Sequence, residues 1–129
     1  MNVLLDTHVL LWLISEPATL NSAALDQLAD PATSVWVSAA SAWEVSIKTR
    51  LGRLDGATLL ESWNRQLETM RVEDLPIDSE DAILAGRLAW DHRDPFDRMI
   101  VAQALRRNLT VATRDAKILA AALTPTLEI

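Results

Sequence analysis

The chain has 129 residues and half of them are hydrophobic, which fits one domain with a single core and argues against disorder. It contains no cysteine, which excludes disulfides, thiolate zinc sites and a cysteine nucleophile. Its net charge of −6 argues against binding nucleic acid by bulk charge, but not against an enzyme that handles phosphates through metal ions.

Short apolar segments alternate with amphipathic ones, which predicts an α/β fold with a central parallel sheet of about five strands covered by helices. There is no repeat or linker, so we expect residues 1–129 to form a single domain. Strands are predicted at 2–6, 34–37, 72–75, 109–113 and 126–129. Helices are predicted at 7–14, 21–29, 38–52, 58–70, 79–90, 95–107 and 115–122.

The apolar start of the chain, residues 1–14, resembles a signal peptide at first sight. It has no basic leader, and Asp6 and His8 interrupt its apolar run. It is also too short to span a bilayer. We therefore expect a buried strand followed by a helix, in a cytoplasmic protein with no membrane segment.

Cap residues support three of the predicted helix starts. Asn21 precedes the second helix, and Ser79 precedes an acidic pair at 80–81. Asp94 is followed by Pro95, a pair typical of an N-cap and a first helical position. We interpret Asp94 as a structural cap and not as a metal ligand.

Two aspartates lie at or near the ends of predicted strands. Asp6 ends the apolar run 3–5, and Asp115 comes soon after the run 109–112. Taken alone, each fits the N-cap of the helix that follows. Ligands of parallel sheets bind at the carboxyl ends of the strands, however, so both carboxylates are candidates for one shared crevice. The nearby Thr113 offers a hydroxyl that could help to hold a metal-bound water.

Glu44 lies inside a predicted helix and has two interpretations. With Lys48 it has the i, i+4 order of a surface ion pair. It also borders the predicted apolar stripe of the helix, so it could lean over the rim of the sheet and reach Asp6. That stripe is Ala40, Trp43, Ile47 and Leu51.

Asp97 lies in the first turn of its predicted helix, where a carboxylate complements the helix dipole. It also heads the inward stripe of that helix, and a carboxylate buried there is costly without a partner or a metal. The stripe consists of Asp97, Ile100, Val101, Ala104 and Leu105.

A cluster of these four carboxylates requires cations. Two unit charges about 4 Å apart repel by about 4 kcal/mol at an effective dielectric near 20. Hard oxygen ligands suit Mg²⁺, which Mn²⁺ can replace, and a site of this kind activates water for phosphodiester hydrolysis. The three glycines form no nucleotide-binding motif. Metal-assisted hydrolysis is therefore the chemistry that the sequence favours.

The other chemically active side chains carry weaker signals. Neither His8 nor His92 has a second histidine at metal-ligand spacing, so the sequence assigns them no role. The five tryptophans are interpreted as core or interface residues. Most of the basic residues near the acidic positions are interpreted as solvated surface: Lys48, Arg50, Arg53, Arg87, Arg93, Arg98 and Arg114.

Four segments of the chain resemble the PIN domain, and in detail the VapC ribonuclease toxins of bacterial toxin–antitoxin pairs. They are LLDTHVLLW (4–12), SAASAWEVSIK (38–48), DPFDRMIVAQA (94–104) and TRD (113–115), in that order. The resemblance covers nearly the whole chain. It implies a PIN-like three-layer α/β/α fold and a Mg²⁺- or Mn²⁺-dependent endoribonuclease.

The resemblance also implies roles for individual residues. Asp6, Glu44 and Asp97 match the three near-universal acidic positions of the family, and Asp115 matches the fourth, more variable one. Thr7 and Thr113 match the family's polar positions beside the metal centre. An RNA substrate, a homodimer and a cognate antitoxin that blocks the site are further implications.

Two alternatives remain open. One is another Mg²⁺-dependent phosphohydrolase, such as a phosphoaspartate hydrolase, which the Thr7-His8 pair after Asp6 disfavours. The other is a non-catalytic PIN-like module that binds RNA or a partner protein, which the complete acidic set disfavours.

Overall fold

The structure is a computed structural model that describes residues 1–129, and a five-stranded parallel sheet forms its centre. The strands are β1 (Asn2–Leu5), β2 (Ser34–Ser38), β3 (Glu73–Leu75), β4 (Thr110–Thr113) and β5 (Thr126–Glu128). Their order in the sheet is β3-β2-β1-β4-β5, and every neighbouring pair is parallel. The predicted fold class is confirmed. Because the strand order reverses beside β1, the carboxyl ends of β1 and β4 flank the topological switch point.

Eight α-helices and one short 3₁₀ turn, Pro17–Thr19, connect the strands. The helices are α1 (Thr7–Ser15), α2 (Ser22–Ala29), α3 (Ala39–Arg50), α4 (Ala57–Glu61), α5 (Trp63–Met70), α6 (Ser79–Arg87), α7 (Pro95–Arg107) and α8 (Ala116–Ala121). None of them is both long enough and apolar enough to cross a bilayer.

The helix predicted at 58–70 is two helices, α4 and α5. Ser62 separates them with non-helical backbone angles of −118° and 20°. Its hydroxyl donates to the carbonyl of Thr58 at 3.0 Å, a local bond that competes with regular helix geometry.

The cap of α6 is Asp78 and not Ser79, which is the first helical residue. Asp78 and Asp81 form a reciprocal capping box, with each carboxylate accepting from the backbone of the other. The predicted caps Asn21 and Asp94 are confirmed.

Side chains of the central strands pack alternately on the two faces of the sheet. Val3 and Leu5 of β1 belong to a core shared with α1 and α2. Leu4 and Val111 face the opposite way, into a core shared with α7 and α8. Two separate cores on the two faces make the structure three-layered, as the resemblance implied.

The predicted apolar stripe of α3 is wrong at Trp43 and Leu51, although Ala40 is buried as predicted. Trp43 is 59% exposed and Leu51 is 49% exposed, while Glu44 is only 4% exposed. The buried residues of α3 are Ala40, Ser41, Glu44 and Val45. The hydroxyls of Ser41 and Thr7 lie 2.8 Å apart, so α3 approaches α1 through small and polar side chains, while the Trp43 indole is exposed.

Helix α7 faces the core with most of its predicted stripe. Ile100, Val101 and Ala104 are buried, but Leu105 is 37% exposed, so the prediction was wrong at that position. Farther along, buried Asp81 of α6 accepts hydrogen bonds from side chains of α7: Gln103, Arg106 and Arg107. Although burial opposes ionisation, the bonds from these two arginines hold the pKa of Asp81 well below its usual range.

Candidate functional site

A cleft of about 390 Å³ contains all four predicted acidic residues. It lies where β1 and β4 end and where α7 and α8 begin. The residues that line it are Asp6, His8, Trp12, Glu44, Lys48, Asp94, Asp97, Arg114 and Asp115. The parallel register explains the meeting of Asp6 and Thr113, because Leu5 pairs with Ala112 one residue before them.

Asp6 occupies the N-cap position of α1, but its side chain makes no capping hydrogen bond. One carboxylate oxygen instead accepts from the hydroxyl of Thr113 at 2.8 Å. Burial raises the pKa of Asp6, and the bond from Thr113 only partly opposes that shift. The capping interpretation was therefore wrong, and the carboxylate faces the cleft.

The two threonines beside the cleft differ in what they contact. Thr113 joins two acidic residues, because its hydroxyl donates to Asp6 and accepts from the backbone N–H of Asp115 at 3.0 Å. Thr7 makes its hydroxyl contact with Ser41. Thr113 thus orients a cleft carboxylate directly, whereas Thr7 fixes α1 against α3.

Both interpretations of Glu44 hold. Its carboxylate accepts from the ammonium of Lys48 at 2.5 Å, as the i, i+4 spacing indicated. The same side chain is 5% exposed and lines the cleft with Asp6. Lys48 also lines the cleft, so it is not the purely solvated residue that the sequence suggested.

Asp97 is paired with a histidine. Nε2 of His92 lies 2.6 Å from Oδ2 of Asp97, and the two side chains are 10% and 13% exposed. Burial raises the pKa of Asp97 to about 7, and the negative charge of Asp6 adds to the rise. Burial therefore opposes the ionisation of Asp97 in the metal-free protein.

The remaining two acidic residues of the cleft are helix caps. Asp94 accepts from the backbone N–H groups of Phe96 and Asp97, at 2.9 and 3.1 Å. Asp115 caps α8 through Oδ1 alone, which leaves Oδ2 available to the cleft. Ligand atoms of His92, Asp94 and Asp97 lie within 4.8 Å of one another, so Asp94 is near the centre although its cap role is confirmed.

The donor set fits a hard divalent cation. Every candidate ligand among the four acidic residues is a carboxylate, and no cysteine is present to favour zinc. Burial raises the pKa values of two of these carboxylates, Asp6 and Asp97. A dication among them would favour the ionised forms that burial opposes.

Sequence patterns missed three residues at or near this site. His92 contacts Asp97, although no metal-ligand spacing identified it. Arg98 is not a solvated residue, because its guanidinium binds backbone carbonyls on the segment before α7. Arg114 lies over the Trp12 ring at 4.8 Å and donates to the carbonyls of Thr19 and Ile129. Only the closeness of His92 and Arg98 to Asp97 in the chain could have drawn attention to them.

Comparisons with known proteins identify relatives of the chain. The PIN domain family matches residues 3–123. Ribonuclease VapC22 of Mycobacterium tuberculosis is 32% identical over 117 residues, which are 90% of this chain and 88% of that protein.

Two solved structures show the same fold. VapBC2 from Rickettsia felis, bound to a DNA fragment from its promoter, matches with a TM-score of 0.72 and 16% identity over 98% of both chains. VapBC-5 from Mycobacterium tuberculosis, a member of the VapBC family of toxin–antitoxin systems, matches with a TM-score of 0.62 and 22% identity. That match covers 99% of this chain and 98% of the other.

Proposed function

This chain belongs to the PIN domain family, and on that premise we propose that it is a divalent-metal-dependent endoribonuclease, the toxin of a toxin–antitoxin pair. The observation that carries the proposal is the cleft in which Asp6, Glu44, Asp97 and Asp115 meet. The ribonuclease that is 32% identical over most of both chains supports the same activity. Because its substrate would be cellular RNA, we propose that the protein acts in the cytoplasm.

In the proposed reaction, Asp6, Glu44 and Asp97, which line the cleft with Asp115, would hold Mg²⁺ or Mn²⁺, and Asp115 would contribute from the edge of the site. When bound, the ion would supply activation of water and stabilisation of charge on the phosphodiester. Thr113 keeps the Asp6 carboxylate oriented through its 2.8 Å hydrogen bond. Lys48 and Arg114 place positive charge on the wall of the cleft, where it can attract the RNA backbone despite the acidic net charge.

Incubation with total RNA tests this proposal. The protein is incubated with RNA in Mg²⁺, in Mn²⁺ and in excess chelator, and the new RNA ends are sequenced. We expect defined cleavage sites that appear only with metal. Binding of RNA without new ends would indicate a non-catalytic module. Hydrolysis of small phosphate esters without RNA cleavage would indicate another phosphohydrolase.

We propose that the partner antitoxin inserts an arginine or lysine among the four carboxylates, where a cation replaces the metal without activating water. Apolar contacts against α1 and the 38–70 region would supply most of the affinity. A second cavity of about 240 Å³ there includes Leu11, Val45 and Leu54, and it shares His8, Glu44 and Lys48 with the acidic cleft. One extended chain could therefore fill both.

Growth assays test the antitoxin proposal. Expression of this chain alone should arrest growth. Co-expression of the neighbouring gene, which we expect to encode a small protein with a basic disordered tail, should restore it. The variant Asp97→Asn serves as the control and should be harmless without the partner. If the unmodified chain is harmless when expressed alone, the toxin proposal fails even though the fold is right.

We propose that two copies of the chain form a homodimer through exposed apolar side chains near the start of α7. Trp43 is 59% exposed and Ile77 is 37% exposed, and both line the same cavity. Trp43 packs edge-on against Phe96, with ring centroids 5.2 Å apart, beside a shallow apolar cavity of about 230 Å³. Apolar side chains grouped in this way are typical of protein interfaces.

Sedimentation at micromolar concentration should show a dimer. Trp43→Lys should weaken dimerisation about tenfold or more, since buried aromatic anchors dominate interface energies. The matched control is Leu51→Lys, which adds the same charge to a residue of similar exposure at the end of the same helix. A wild-type protein that sediments only as a monomer would reject the proposal.

A further inference from the structure

The guanidinium of Arg98 donates to five backbone carbonyls, and this is its full complement of N–H donors. Nε donates to Ala85 at 2.9 Å. Nη1 donates to Trp90 at 2.7 Å and to His92 at 3.0 Å. Nη2 donates to Leu88 at 2.9 Å and to Gly86 at 3.5 Å. No other arginine in the chain makes a comparable set of backbone contacts.

These carbonyls belong to the end of α6 and to the segment 88–92. The last carbonyls of a helix have no partner within the helix, so a nearby donor determines where the chain goes next. The helix was predicted to continue to residue 90, but it ends at Arg87. Arg98 therefore fixes the path of the segment that leads to His92.

His92 connects that segment to the acidic cleft. Its Nε2 lies 2.6 Å from Oδ2 of Asp97, and its ring packs at 4.8 Å from the ring of Trp90. The position of the His92 ring is therefore supported from two sides. Arg98 holds the backbone of residues 90 and 92. The indole of Trp90 packs against the ring.

We propose that His92 and Arg98 are positioning residues for Asp97, with His92 binding one carboxylate oxygen and Arg98 holding His92 in place. A carboxylate that ligates a metal is ionised, so the ring N–H of His92 would then donate to Oδ2 and leave Oδ1 free to ligate a metal. Partners of this kind orient metal ligands and typically change metal affinity or activity by roughly 10- to 100-fold. This inference rests on the proposed metal-dependent function.

Three variants separate the contacts. His92→Phe keeps a ring against Trp90 and removes both ring nitrogens, while His92→Gln restores an N–H donor. Arg98→Met removes the guanidinium and keeps much of the side-chain volume. The control is Arg107→Met, since Arg107 also lies on α7 but binds Asp81, away from the cleft.

The measurement is the Mn²⁺ dissociation constant of the full-length protein by calorimetry, beside melting temperatures without metal. We expect His92→Phe and Arg98→Met each to weaken Mn²⁺ binding about tenfold or more. His92→Gln should recover part of the loss. Arg107→Met should lower the melting temperature and leave Mn²⁺ affinity unchanged, which separates positioning from general stability.

The double variant tests whether Arg98 acts through His92. If it does, the double variant His92→Phe/Arg98→Met should bind Mn²⁺ about as tightly as whichever single variant binds it more weakly, because both changes release the same contact. Losses that multiply in the double variant would overturn the role of Arg98. If Arg98→Met fails to fold, the two His92 variants still decide the role of His92.

The outcomes also separate this inference from the proposed function. A wild-type protein without measurable Mn²⁺ binding would remove the metal site itself. A wild-type protein that binds Mn²⁺, with His92→Phe binding it equally well or more tightly, would overturn only the positioning roles.

Discussion

Asp97→Asn should abolish RNA cleavage and leave the fold intact or more stable. The amide has the shape of the carboxylate but no charge, so the cleft loses a metal ligand and one of its mutually repelling groups. A metal site supplies several kcal/mol of transition-state stabilisation, so its loss should slow cleavage about a thousandfold or more. Asp6→Asn should act in the same direction, since its carboxylate shares the cleft.

Asp97→Asn should stabilise the metal-free fold because the carboxylate that it removes is largely buried. The pKa of Asp97 is about 7 in the folded chain against an ordinary value of 3.8, so at pH 8 its ionisation carries a cost on the order of 4 kcal/mol at most. Removing the charge should therefore raise the melting temperature of the metal-free protein.

The matched control is Asp94→Asn. Asp94 lines the same cleft, but its observed contacts are the capping bonds of α7, which asparagine also makes well. Cleavage by this control should remain within about tenfold of the wild type. Equal melting shifts with Mn²⁺ in the wild type and in Asp97→Asn would count against the assignment of Asp97.

The metal-free protein should lose stability as the pH rises from 5 to 8. The pKa of Asp97 is raised to about 7, and burial also raises the pKa of Asp6, so the folded state holds protons that the unfolded chain releases near pH 4. Their contribution to stability is complete below about pH 4 and disappears as the pH passes through about 7.

The contribution of Asp81 to stability changes with pH in the opposite direction from those of Asp6 and Asp97, and at lower pH. Its pKa is held low by Arg107 and Arg106, so its contribution is present above about pH 4 and is lost on further acidification. We therefore expect maximal stability of the metal-free protein near pH 4 to 5.

In the presence of a divalent metal, the stability of the folded protein should rise rather than fall as the pH increases above 5. Binding requires ionised carboxylates, so stabilisation by Mn²⁺ should grow from pH 5 to pH 8. Urea unfolding between pH 4.5 and 8.5, in chelator and in Mn²⁺, measures both effects. Asp97→Asn should flatten the pH dependence in chelator. Wild-type stability that rises from pH 5 to 8 without metal would contradict the raised pKa values.

The sequence predicts the site residues that lie at the ends of strands or at the starts of helices. Asp6 and Asp115 follow apolar strands, and parallel strands bring their carboxyl ends to one edge of a sheet. Asp97 opens a helix whose inward positions are largely apolar. Local order along the chain was enough to predict that these carboxylates meet.

Other features depend on contacts that periodicity does not encode. Hydrophobicity placed Trp43 on the inner face of α3, but α3 contacts α1 through Ser41, buries Glu44 and leaves the indole exposed. The histidine that binds Asp97 lies on a segment without regular structure. Its path depends on the bonds from Arg98, which only the folded chain shows.

Anomalous diffraction from crystals grown in Mn²⁺ tests the metal centre most directly. We expect a Mn²⁺ peak in the acidic cleft, bonded to carboxylate oxygens of Asp6 and Asp97 at about 2 Å, a typical distance for a small hard cation. The same peak should be absent from crystals of Asp97→Asn. A cleft that stays empty of Mn²⁺, at concentrations that support RNA cleavage in solution, would contradict the account.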